Sequence, residues 1–151
     1  MGKMTDLATA YDDDFVLWLE AQSALLRDGR LEQLDVTNLL AELEALVRNH
    51  RRELRSRLKV IILHLLKWQC QPRLRWAGWR AILRTQRDEL ELLLDDCPSL
   101  VGKVAPFAAE MYARAVRTAV HESGLPAATF PAQLPYTATQ LLDLDFLPQA
   151  L

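Results

Sequence analysis

The chain has 151 residues, half of them hydrophobic and a quarter charged, with a formal net charge of −2 and an isoelectric point near 5.9. That length suits one domain with a real apolar core. It excludes a spanning helix, because the longest apolar runs, Val60 to Leu63 and then Leu65 with Leu66, fall far short of the roughly 20 residues a bilayer needs.

Residues 1–10 read as a disordered start, and nothing in MGKMTDLATAYDDDF resembles the apolar core of a secretory signal. Asp12, Asp13 and Asp14 offer N-caps for a first helix over 14–28, with Phe15, Trp18, Leu19, Leu25 and Leu26 at helical spacing and Gly29 as its stop. Asp35 caps the next. From Val36 through Leu39, Leu40, Leu43, Val47, Leu54, Leu58, Ile61, Leu65 and Trp68 one apolar stripe persists, with His50 on it and no Gly or Pro before Pro72. One unbroken helix of that length spans about 50 Å, whereas a compact domain of this size is about 38 Å across. Two outcomes stay open: a bend or break near Arg48–Arg52, or an end that packs on a second copy as a homodimer.

Pro72 ends that helix and residues 73–78 turn, with Gly78 available for an unusual backbone angle. Trp79, Ile82, Leu83, Gln86, Leu90, Leu93 and Leu94 predict a helix over 76–95. Because Pro106 is tolerated only in a first turn, a short turn at 99–103 precedes the main helix at 104–122, which Gly124 and Pro126 close. Residues 125–136 carry three prolines and favour extended backbone. Thr137 with Gln140 forms a capping box for a short helix at 138–143, and Asp145 to Pro148 ends the ordered part. Phe130, Tyr136, Phe146 and Leu147 are too apolar for a free tail. The expected fold is all-α: a compact bundle of five to six helices in a single domain, 11–148, with the proline-rich C-terminal segment packed across it.

Charge is strongly segregated. Residues 48–87 hold twelve basic side chains and one acid (+11), residues 1–47 three and ten (−7), and residues 88–151 three and nine (−6). Arg48, Arg51, Arg52 and Arg55 share one side of the long helix, and Arg80, Arg84 and Arg87 repeat that spacing on the next. Such arginines can grip phosphates, and exposed tryptophans can stack on bases. Yet Trp68, Trp76 and Trp79 fall on or near apolar stripes and are expected mostly inside, and the isoelectric point is far below the values above 9 typical of nucleic-acid domains. The acidic flanks are the competing partners for this basic face.

Catalytic and metal chemistry find little support. His50, His64 and His121 make no ligand spacing, and His64 reads as a boundary histidine hydrogen-bonded locally. A polar cluster of His64, Lys67 and Arg80 is the last-ranked candidate for an enzyme site. Cys70 and His64 point about 120° apart on a helix, and Asp95 with Asp96 would dull Cys97 as a nucleophile. Neither cysteine belongs to a CxxC pair, so free thiols in a reducing cytoplasm are expected. Glu42 and Asn38 form an i, i+4 pair that reads as a helix-surface hydrogen bond.

Several segments resemble a bacterial family catalogued as domain of unknown function 29. They are Tyr11 to Leu19, Leu34–Asp35 leading into Asn38 to Glu44, His64 to Pro72 followed by Trp79–Arg80, and Gly124–Leu125–Pro126 with Phe130–Pro131, Pro135–Tyr136 and Asp145 to Pro148. The resemblance covers residues 11–148 and implies a small helical protein, with no activity and no catalytic residue to carry over. The expected function is a non-enzymatic interaction or adaptor domain with no cofactor, partnered by another protein or a second copy. The alternative is a nucleic-acid-binding or regulatory domain.

Overall fold

The computed structural model describes residues 11–151; the expected disordered start, 1–10, lies outside the described residues. Those residues are helical with no strand among them: α1 (Phe15–Arg27), α2 (Val36–Cys70), α3 (Ala77–Asp96), α4 (Val104–Ser123) and α5 (Ala138–Leu142), joined by short 3₁₀ turns. The fold is all-α, as the periodicity predicts. The chain divides into two compact units at Arg48–Asn49, a division that falls within α2.

In the first unit, Asp14 caps α1 by accepting from Leu17 N–H at 3.0 Å. The helix stops where Gly29 turns left-handed (φ 71°). There Arg30 N–H reaches Leu25 C=O at 2.9 Å and Gly29 N–H reaches Leu26 C=O at 3.2 Å, a Schellman closure. Trp18 is fully buried and its indole N–H donates to Asp35 Oδ2 at 3.1 Å, while Gln22 Oε1 accepts from Asp35 N–H at 2.8 Å. Asp35 also starts α2, accepting from the Asn38 side chain at 2.7 Å and its N–H at 3.3 Å. Burial pushes the Asp35 carboxyl up, but these hydrogen bonds outweigh it and hold it below its ordinary value. The expected Glu42–Asn38 pair does not form. Asn38 turns to Asp35, and Glu42 accepts from Tyr11 Oη at 2.7 Å.

The second unit holds the main core. Leu54, Leu58, Ile61, Ile62, Leu65 and Leu66 of α2 are fully buried against Leu83 and Leu90 of α3 and Val104, Ala108, Ala115 and Ala119 of α4. Helix α2 runs through 48–52 without a break. Pro106 stands in the first turn of α4, where its missing N–H is harmless. Gly78 is helical, contrary to the expected special angle. Its role is close approach, since a Cβ there would lie 2.2 Å from the Trp76 ring. Trp76 itself is 61% exposed, whereas Trp68 and Trp79 are half-buried.

The C-terminal segment lies across these helices. Phe130, Tyr136 and Leu141 join the core, Tyr112 Oη donates to Pro131 C=O at 2.5 Å, and Tyr136 Oη donates to Gln69 Oε1 at 2.7 Å. The capping box of α5 is complete, with Gln140 N–H on Thr137 Oγ1 at 3.2 Å and Thr137 N–H on Gln140 Oε1 at 2.9 Å. Order continues past Pro148: Leu151 N–H reaches Gln69 C=O at 3.3 Å.

Candidate functional site

Helical spacing presents the basic side chains of α2 and α3 in rows, and the acids of neighbouring elements meet many of them. Arg55 Nε stands 3.2 Å from both carboxylate oxygens of Glu110 on α4, with its guanidinium 3.8 Å above the Phe107 ring. Arg57 bonds Glu53 one turn earlier at 3.0 Å, approaches Glu89 of α3 at 3.7 Å, and donates to Gln86 at 3.2 Å. Lys67 pairs with Glu122 of α4 and lies 5.8 Å from the Trp79 ring. Arg75 donates to Trp68 C=O at 2.7 Å and stacks on that indole. The second unit therefore supplies much of its own counter-charge.

The seven arginines marked by the sequence have separate fates. Arg48, Arg51, Arg52 and Arg80 are exposed, with no carboxylate within 4.0 Å among the described residues. Arg84 is exposed and touches the still more exposed Asp145 at 3.8 Å. Arg55 is held on α4. Arg87 does not belong to a surface: it is 2% exposed and donates to the carbonyls of Leu141 (2.9 Å), Gln140 (3.0 Å) and Phe146 (3.0 Å). Burial lowers its pKa, and Asp143 and Asp145 partly oppose that. Spacing alone put Arg87 in a row with Arg80 and Arg84. The missed signal was its i+3 relation to Leu90 and i−4 relation to Leu83, both core positions.

The polar cluster also divides. His64 and Lys67 come together with Glu122, while Arg80 stands apart, lining a depression of about 200 Å³ with Leu83, Arg84, Arg87, Asp145 and Leu147. His64 is buried and its Nδ1–H donates to Val60 C=O at 2.8 Å, the local bond expected of it. Burial holds its pKa below the usual 6.5, Lys67 adds to that, and Glu122 and the carbonyl oppose it. The ring is therefore held neutral near pH 7 and fixed by its bond to the backbone. Cys70 and Cys97 are free thiols, and burial pushes the Cys70 thiol up, away from nucleophilic character. Among the described residues no three His, Cys, Asp or Glu side chains gather as a metal site, and no helix is long and apolar enough to cross a membrane.

A family model for a domain of unknown function, DUF29, matches residues 10–147, nearly the whole chain. The chain belongs to the DUF29 family. No curated protein and no solved structure matches it. The DUF29 motifs fall at joints of the fold: Trp18 and Asp35 lock the first unit, Gln69 receives Tyr136, and Phe146 C=O receives Arg87.

A different feature of the first unit is unaccounted for. Val36, Leu40, Leu43 and Val47 are 64, 54, 60 and 52% exposed. They repeat at intervals of four, three and four residues, and Leu54, next in the series after His50, is fully buried in the second unit. On α1, Val16, Leu19 and Leu26 are also exposed.

Proposed function

We propose that the chain is a non-enzymatic protein-interaction domain whose first unit docks a basic amphipathic helix from a partner protein. The observation that carries this reading is the exposed stripe Val36–Leu40–Leu43–Val47. Its heptad spacing is that of a helix seam, and it leaves four large apolar side chains in one row each more than half exposed. Charge selects the occupant. Residues 11–48 hold nine acids against Arg27, Arg30 and Arg48, or 3 − 9 = −6, and Glu44 stands exposed beside Leu43. A second copy of this acidic unit would be repelled; a helix with leucines on one face and lysines around them complements it. The free thiols and the lack of a spanning helix among the described residues support a cytoplasmic setting.

The test uses a fluorescent helical peptide of leucine and lysine, with its leucine–glutamate counterpart as control. Binding of the first, weakened by salt and abolished in the Leu40→Gln, Leu43→Gln variant while helicity is retained, is the expected result. Equal binding of both peptides, or binding that survives the double substitution, overturns the reading. Sedimentation of the free chain decides the symmetric case: a dimer lost in the same variant makes a second copy the occupant instead.

A second reading keeps one observation, the exposed arginines Arg51 and Arg52 of the second unit, which have no carboxylate within 4.0 Å among the described residues. A polyanion held by about six phosphate contacts loses roughly a thousandfold in affinity between 50 and 200 mM salt. No binding of RNA or DNA at 50 mM removes this alternative.

A further inference from the structure

We propose that the depression between α3 and residues 144–147 is a binding site for a small dianionic oxyanion, a phosphate ion or a short phosphate monoester. A guanidinium carries five N–H donors; Arg87 gives three to backbone carbonyls and keeps two. Those carbonyls satisfy geometry but bring dipoles, not charge, and no carboxylate of the described residues lies within 4.0 Å of this nearly fully buried cation. Burying such a charge is costly, and Asp143 and Asp145 offset only part of that cost.

The opening beside Arg87 is basic. Arg80, Arg84 and Arg87 stand at i, i+4 and i+7 on α3, so all three face the same depression. Asp145 is the one acid there, 3.8 Å from Arg84, with the two side chains 90% and 62% exposed. Such a contact is weak. The lining charge is 3 − 1 = +2, which a dianion neutralises. Glu91 and Asp95 line a separate depression that Arg87 and Leu144 also border. The volume of about 200 Å³ equals the share of roughly six or seven waters, enough for a phosphate group with a short organic stub. Leu83 and Leu147 give the depression an apolar wall, beside which arginine–phosphate bonds are stronger than in open water.

Calorimetric titration with inorganic phosphate and with glycerol phosphate, at ionic strength fixed by potassium chloride, tests the site and separates the two sources. Saturable binding of either ion is expected. Arg80→Gln with Arg84→Gln should weaken it about tenfold or more, and Asp145→Asn should tighten it by removing the competing carboxylate. Arg87 is left intact because the fold uses it. No saturable heat with either ion, acetate binding as tightly as phosphate, or unchanged affinity in the double variant overturns the proposal; circular dichroism verifies that each variant is folded.

Discussion

At the scale of single residues, the buried cation and the buried phenols set the most direct tests. Removing the Arg87 guanidinium strands three carbonyls, so Arg87→Met should cost about 3 kcal/mol or more, read as a lower denaturation midpoint. Burial pushes Tyr112 up to about 12 and Tyr136 higher still. The folded state therefore keeps protons that the unfolded chain releases near pH 10. Their contribution is intact below that pH and is lost as pH rises toward the folded values. The melting temperature should fall steeply above pH 10, and less steeply in Tyr136→Phe. His64 has the opposite sign. Its lowered pKa favours the neutral fold above 6.5 and destabilises it as pH falls through the folded value. Since Glu122 supports the charged ring, Glu122→Gln should lower the His64 midpoint further in an NMR titration; a rise would contradict the assigned geometry.

At the scale of elements, two glycines respond to substitution in different ways. Gly29→Ala forces a side chain into the left-handed region and should cost about 1–2 kcal/mol. Gly78→Ala meets only the far end of an exposed indole. Trp76 should swing outward, shifting its fluorescence to the red, while stability changes by less than about 1 kcal/mol. Helix boundaries were highly legible: Asp14, Gly29, Asp35, Pro72 and Gly124 act locally, and local chemistry shows in a sequence. The Thr137–Gln140 capping box was legible for the same reason. The Gly78 misreading has a different cause, because its neighbour Trp76 is pressed on it by a conformation that spacing does not encode. The candidate site was legible only as a block of charge. Which arginine meets Glu110, Glu122 or a bare carbonyl depends on helix packing, so Arg87 and the exposed Arg80 looked alike.

At the scale of the whole molecule, the division inside α2 is the feature to measure. Leu54 to Leu66 of this helix lie mostly buried, whereas Val36 to Val47 are largely uncovered. Hydrogen exchange should thus show strong protection over 54–66 and much weaker protection over 36–47 of one continuous helix; uniform protection would mean that the upper stripe is covered. A bound partner helix should raise the weaker part selectively. Arg87 adds a constraint in time. Its three carbonyl partners lie 53, 54 and 59 residues further along the chain, so during vectorial synthesis the burial of Arg87 can be completed only after residue 146 has been made, and until then its guanidinium stays hydrated. A nascent chain arrested before residue 138 should remain protease-sensitive across α3, and release of residues 138–148 should close it in one step.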